Sequence, residues 1–276
     1  MKKAITAITF FDTVFLLLLA ISGTVGGAFG SVAYYFAFIV PVLLAFLFVK
    51  NDKDGEERPV PLKISPDAKS ALFSLPLAAP FIALIFAVSL LTSLLLTFVG
   101  FTNTSTDVSG NIFLVITRHA LLPAFCEEAL FRFIPLMLLL PYSKKNALVI
   151  PSILFATVHC NLFQIPYALV ASFALTFIAI ATGSIFPAIA IHFLNNLASI
   201  LYMRNGSELY FNVFFFSILA ILAVASIAFI VIKRERYARI LKEIKEDKCN
   251  VEFTLFFVLF VAMTLITGVV NLWTSL

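Results

Sequence analysis

Long apolar stretches divide this chain and constrain what it can fold into. About 20 apolar residues in a helix cross the roughly 30 Å hydrocarbon core of a bilayer, and lipid tolerates spanning backbone only as helices or closed barrels. The stretches predict an all-α fold, a polytopic transmembrane bundle of about eight or nine membrane helices. Their approximate bounds are 4–26, 31–49, 69–100, 111–141, 146–162, 165–182, 184–203, 209–232 and 251–274.

Composition supports a membrane class. The 276 residues are 62% hydrophobic and 12% charged, with a mean hydropathy of +1.06, whereas soluble domains are about half apolar and a quarter charged. No internal repeat or long linker is visible, so residues 1–276 are interpreted as a single membrane domain. The net charge of +4 lies mostly in connectors, where it indicates topology rather than binding to nucleic acid.

The distribution of Lys and Arg predicts the orientation. If nine helices cross, most of these residues face one side, in four regions: 1–3, 50–69, 142–146 and 233–250. Connectors 101–110 and 204–208, on the other side, hold only Arg204. The positive-inside rule then places the N-terminus in the cytoplasm of a multi-pass cell-membrane protein. The first stretch is expected to be retained as a helix, and 233–250 to hold a short amphipathic helix.

Several ionisable residues lie inside apolar stretches. Each costs roughly 2.5–3.5 kcal/mol at the centre of a membrane helix on insertion scales, so their presence indicates a function. They form three patches, which begin at Glu127, Phe155 and His192 and read EEALFR, FATVH and HFLNN. Asp12, in the first stretch, is instead expected near the cytoplasmic interface or paired.

Helical spacing separates the two glutamates. Neighbouring residues on a helix point about 100° apart, so Glu127 and Glu128 cannot do the same work. Arg132 follows Glu128 by four residues, which predicts a structural ion pair and leaves Glu127 available for chemistry. The pairs Phe155/His159 and His192/Asn196 have the same spacing, so each pair shares a helix face. Prolines near the three patches open gaps that water can fill: Pro123, Pro135, Pro151 and Pro187.

The three motifs Glu-Glu-x-x-x-Arg, Phe-x-x-x-His and His-x-x-x-Asn, in this order on successive helices, resemble the signature of a known family. It is the CAAX prenyl endopeptidase and abortive-infection family of intramembrane glutamic proteases. Gly183, nine residues before His192, is similar to the glycine that often precedes the third motif. The resemblance covers residues 111–203, which are predicted to form the catalytic core with an intramembrane active-site cavity.

The resemblance implies a role for each motif residue. Glu127 would be the general base that activates water, and His159 would assist it. His192 and Asn196 would bind the oxyanion, while the supporting residues would be Glu128 and Arg132. No metal and no cofactor are expected. The substrate would be a membrane-associated peptide or protein, prenylated or not, and no nucleic acid partner is expected.

Three other functions stay open at this stage. A proton-coupled transporter could use the same Glu and His residues as a relay, although it would favour internal repeats. A zinc protease could use Glu127, His159 and His192 as ligands, although the chain lacks an HExxH helix. A non-catalytic scaffold would need none of them. Cys126, next to Glu127, could suggest a cysteine protease, but its helical offset favours a packing role.

Overall fold

Nine helical segments make up the part of the chain that the computed structural model describes, which comprises residues 1–25, 27–51, 68–102 and 107–274. The model is 84% helical, so the predicted all-α polytopic bundle is confirmed. The segments are α1 (Lys2–Thr24), α2 (Gly27–Asn51), α3 (Ala68–Phe98), α4 (112–139), α5 (Lys144–Thr157), α6 (Ile165–Thr182), α7 (Phe186–Asn205), α8 (Leu209–Lys245) and α9 (Leu255–Trp273).

Seven of the described helices are each long and apolar enough to cross a membrane. The helices α4 and α5, which carry the first two motifs, are not among them. Helix α5 has only 14 residues, about 21 Å at 1.5 Å per residue. Residues 112–139 form one helix, α4, which contains two turns that are wider than α-helical turns.

Prolines explain the interruptions of α4. Two π-helical turns, Thr117–Leu121 and Ala129–Phe133, each end two residues before a proline, Pro123 or Pro135. A proline has no N–H to donate to the carbonyl four residues earlier, and its ring displaces that carbonyl. The turn before it therefore widens to five-residue hydrogen bonds. Glu127 and Glu128 lie between the two π turns.

The motif-bearing helices occupy the centre of the bundle. Helix α4 packs against α1, α2, α5 and α7, while α6 lies against α3, α5 and α7. Helices α1 and α2 form one flank, and α3 and α8 form the other. The fully buried aliphatic side chains of this core include Ile5, Ile8, Ile134, Leu136, Leu139, Ile150, Leu154, Leu175 and Ile191.

Helix α5 ends earlier than the predicted segment 146–162. It stops at Thr157, and Cys160 adopts a left-handed conformation with φ of +48°. The Asn161 side chain then accepts a hydrogen bond from the Phe163 N–H at 2.9 Å, a local turn that competes with helix. His159 therefore lies on the turn after α5 rather than on the helix.

Asp12 has no partner among the described residues, contrary to one of its two sequence expectations, and its position relative to the membrane interface stays a prediction. It is fully buried in α1, and neither carboxyl oxygen has a hydrogen-bond partner among the described residues. Burial without a partner is costly for a polar group. The apolar periodicity of α1 could not indicate this, because the surroundings of Asp12 come from other helices.

Two of the predicted basic connectors meet at one end of the bundle. Lys144 Nζ lies 2.5 Å from Glu243 Oε2, and Lys145 Nζ donates to the Asp247 carbonyl at 2.7 Å. The amphipathic helix predicted in 233–250 is present, but as a continuation of α8 to Lys245. Most of connector 50–69 lies outside the described residues. The cytoplasmic placement of this end stays a prediction.

Asp247 provides a test of how that end is held. Burial alone would raise the pKa of this carboxyl, but hydrogen bonds from the Lys145 N–H, the Ser143 hydroxyl and the Cys249 N–H outweigh it and lower the pKa to about 2. A depressed folded-state pKa contributes stability above the unfolded-state pKa, and this stability is lost as pH falls toward the folded value.

We expect Asp247→Asn to lower the unfolding temperature in detergent near neutral pH, and the difference from wild type to shrink between about pH 4 and pH 2. Glu246→Gln is the matched control, because Glu246 has an exposed side chain that meets only a surface lysine. An Asp247→Asn difference that is constant across this window would contradict the assignment.

Candidate active site

A buried ion pair on α4 forms the base of the site. Arg132 Nη1 donates to Glu128 Oε1, and both side chains are 0% exposed. The guanidinium carbon of Arg132 lies 4.4 Å from the centroid of the Phe155 ring on α5, a distance at which a cation is attracted to the aromatic face. The pair therefore joins the first motif to the second.

His192 on α7 joins the third motif to the same pair. Its Nδ1–H donates to Glu128 Oε1 at 2.6 Å. Because this bond holds the proton on Nδ1, the second nitrogen of a neutral ring is an acceptor. That nitrogen, Nε2, lies 3.8 Å from Glu127 Oε2. Glu128 thus fixes the ring so that its other edge faces Glu127.

Glu127 is the more accessible glutamate. Its side chain is 16% exposed, compared with 0% for Glu128. Two phenols from other helices, Tyr34 of α2 and Tyr167 of α6, lie within electrostatic range of its carboxylate. This carboxylate is therefore the one that water or a substrate can reach.

His159 reaches the site through Phe155. Its Nδ1–H donates to the Phe155 carbonyl at 2.8 Å, which leaves Nε2 as an acceptor in the neutral ring. The Phe155 ring lies 5.0 Å from the His159 ring and 6.0 Å from the His192 ring, edge-on to both. One aromatic side chain thus touches both histidines.

Asn196 follows His192 by one turn of α7 and lies on the same face of that helix. It is half-buried, and its Oδ1 accepts from Asn195 Nδ2 at 3.4 Å. Asn195 is the more buried of the two asparagines, and its own Oδ1 has no partner among the described residues. The role of Asn196 at the site stays a prediction.

The charges of the cluster do not balance without a proton. Glu127, Glu128 and Arg132 together carry one net negative charge if all are ionised. An unbalanced charge in a buried site is strongly disfavoured. One added proton, on His192 or Glu127, makes the group neutral. His192 Nε2 and Glu127 Oε2 lie 3.8 Å apart, which is longer than a direct hydrogen bond.

The sequence predicted part of this arrangement. The Glu128–Arg132 pair follows from their spacing, whereas the His192–Glu128 bond joins residues 64 positions apart and has no local signal. Tyr34 and Tyr167 also gave no signal, because each lies in an apolar stretch without a motif. Within the described ranges, no group of three His, Cys, Asp or Glu side chains is arranged to hold a metal ion.

Removing Arg132 should destabilise the protein. We expect Arg132→Ala to cost about 3–5 kcal/mol, because it leaves Glu128 buried without its counter-charge. Arg132→Met combined with Glu128→Gln should recover part of the loss, since no buried charge is then unpaired. Denaturant unfolding in detergent measures both variants. A cost below about 1 kcal/mol for Arg132→Ala would show that the pair does not support the site.

Comparison with known proteins agrees with the motifs. Residues 108–198 match the family model described as Type II CAAX prenyl endopeptidase, Rce1-like. No curated protein and no solved structure matches the chain significantly. The matched stretch overlaps the predicted core 111–203 and contains all three motifs. The predicted family is confirmed for this stretch, and the match supports a CAAX-type endopeptidase in general.

Proposed function

We propose that this protein is a glutamic endopeptidase of the CAAX type, with Glu127, His159, His192 and Asn196 as its catalytic residues. The observation that carries the proposal is the pair formed by Glu127 and His192. The Glu127 carboxylate, in a side chain that is 16% exposed, faces a histidine nitrogen at 3.8 Å, and a buried Glu128–Arg132 pair holds that histidine in place. A base next to an oriented acid or donor is the arrangement that peptide hydrolysis requires.

The proposed reaction begins with a water beside Glu127. The carboxylate takes a proton from the water while the oxygen bonds to the substrate carbonyl carbon, and the carbonyl π electrons move to its oxygen. His159 accepts a hydrogen bond from the water at Nε2 and so orients it. When the intermediate collapses, the carbon–nitrogen bond breaks and Glu127 returns the proton to the leaving amine.

The developing oxyanion needs donors. Asn196 supplies N–H groups, and His192 supplies Nε2–H when it is an imidazolium. Since Nδ1 already donates to Glu128, the neutral ring could not do this. With the imidazolium form of His192, Glu127 and Glu128 as carboxylates are balanced by Arg132 and His192. Glu128 and Arg132 support the site without touching the substrate.

The proposed substrate is a membrane-associated peptide or protein, and the family description suggests that it is prenylated. The Glu127 side chain is 16% exposed, which supports access of such a substrate to the site.

The test uses purified protein in liposomes with two peptides of the same sequence, one farnesylated near its C-terminus and one not. We expect cleavage of at least the farnesylated peptide, measured by mass spectrometry of the products. A second arm repeats the assay after prolonged chelation with the metal content measured. Activity lost with one equivalent of zinc and regained on its return would favour the zinc alternative. Proton flux without cleavage would favour the transporter, and neither activity would favour the scaffold.

Asn196 is tested within the same assay. We expect Asn196→Ala to lower kcat by about 10²–10³, the usual loss for one oxyanion donor, with the amount of folded protein unchanged. Asn205→Ala is the matched control, because that side chain donates only to the Leu201 carbonyl in its own helix. An Asn196→Ala enzyme with wild-type kcat would remove Asn196 from the oxyanion site.

A further inference from the structure

Helix α5 is short, and its first residues are held by the connector between α8 and α9. The side-chain amide of Asn146 makes two hydrogen bonds to the backbone of this connector. Its Nδ2 donates to the Asn250 carbonyl at 2.9 Å, and its Oδ1 accepts from the Glu252 N–H at 2.9 Å. Ser143, the N-cap of α5, donates to Asp247 at 2.7 Å. These contacts fix where α5 begins.

The other end of α5 is held by α9 itself. Asn271 Nδ2 donates to the Cys160 carbonyl at 2.9 Å, directly after His159. One turn earlier on α9, Gly268 is buried and packs on the same backbone. A Cβ added there would lie 3.4 Å from the Cys160 carbonyl carbon and 3.6 Å from the Asn161 nitrogen. Helix α9 thus lies in van der Waals contact with the turn, so a methyl group would fit at this position, whereas a side chain much larger than alanine would meet the backbone of the turn.

The turn at Cys160 has a backbone conformation that is unfavourable without support from the surrounding structure. Cys160 has φ of +48°, a conformation that non-glycine residues rarely take and that costs about 1–3 kcal/mol. Such a conformation persists when surrounding structure fixes it. The surrounding structure here includes Asn271 and Gly268.

We propose that the segment from residue 246 to the end of α9 is a clamp that positions His159, and that Asn271 is its positioning residue. The inference rests on the proposed function, in which His159 orients the attacking water. Residues 246–273 lie outside the matched stretch 108–198, so the family match does not assign them this role. His159 Nδ1 is tied to Phe155 on α5, while its backbone precedes the clamped Cys160. A shift of the turn would therefore re-aim Nε2.

The central variant is Asn271→Asp, which keeps the size of the side chain but removes the N–H donor. We expect kcat to fall by about 10- to 100-fold with KM within about twofold, because a misplacement of about 1 Å can cost 10²-fold in rate. Asn271→Gln keeps a donor and should recover part of the rate. Thr267→Ala, on the same helix, removes a hydroxyl bonded only within α9 and should match wild type.

A second pair of variants tests the close approach. Gly268→Leu should displace the turn and lower kcat in the same way. Ala262→Leu places the same leucine side chain at an exposed position of α9 and should have no effect on kcat. Equal kcat values for wild type, Asn271→Asp and Gly268→Leu would overturn the proposal.

Hydrogen exchange separates failure of the clamp from failure of the proposed function. We expect the backbone amides of residues 158–164 to exchange faster in Asn271→Asp and Gly268→Leu than in wild type, with the centre of α5 unchanged. Unchanged exchange would overturn the clamp whatever the enzyme does. Faster exchange in the two variants, together with a wild-type protein that shows no Glu127-dependent hydrolysis, would support the clamp and reject the proposed reaction.

Discussion

Replacing Glu127 by alanine is expected to abolish peptide cleavage while the protein still folds and inserts. The reason is that Glu127 is the accessible carboxylate of the cluster, and no other side chain of the site can take the proton from water in its place. Glu128 is fully buried and is already bonded to Arg132 and His192. The expected loss is about 10⁴-fold or more, the upper range for a general base that acts with its partners as a unit.

The experiment compares Glu127→Ala and Glu127→Gln with Cys126→Ala in the liposome assay. Glu127→Gln keeps the size of the side chain but cannot accept the proton, so it should be as inactive as Glu127→Ala. Cys126→Ala removes the neighbouring thiol and should keep full activity, which a cysteine protease would not do. Cleavage retained in Glu127→Gln, or lost in Cys126→Ala, would end the glutamic-protease proposal.

The fold was largely predictable because its helices are encoded locally. Apolar stretches gave the nine segments with ends within about five residues, except for α8, which runs to Lys245 rather than to 232, and the four-residue spacing of Glu128 and Arg132 gave the ion pair. Pro123 and Pro135 marked the positions where α4 widens, although a proline alone does not distinguish a π turn from a kink. These features depend on neighbours in sequence, which periodicity and spacing report.

The interactions that shape the site were less predictable because they join distant residues. The bond between His192 and Glu128 gives the histidine an orienting partner that its own helix does not reveal. Helix α5 ends shortly before the left-handed Cys160, whose carbonyl accepts a hydrogen bond from Asn271, 111 residues away. Asp12 was expected to be interfacial or paired, and the packing of other helices against α1 buries it without a partner among the described residues. In each case the deciding contact is tertiary, and a single sequence carries no signal for it.

His159→Ala is expected to lose nearly all cleavage, although His159 makes no direct bond to Glu127 in the structure. Its Nε2 is free to accept from a water, since Nδ1 is held by the Phe155 carbonyl. A water that is bonded to His159 and Glu127 at once is oriented for attack, whereas one bonded to Glu127 alone is not. Removing an acceptor that works in the same unit should lower kcat by about 10²–10⁴.

His119 provides the matched control. It is one of the three histidines of the chain, and it lies on α4 outside the cluster. His119→Ala should keep full activity. Added imidazole should restore part of the rate of His159→Ala if the ring acts directly on the water, and it should not restore the rate of Glu127→Ala. An inactive His159→Ala protein that also unfolds at lower temperature, and that imidazole does not rescue, would instead show that the ring of His159 supports the turn after α5 and takes no part in the reaction.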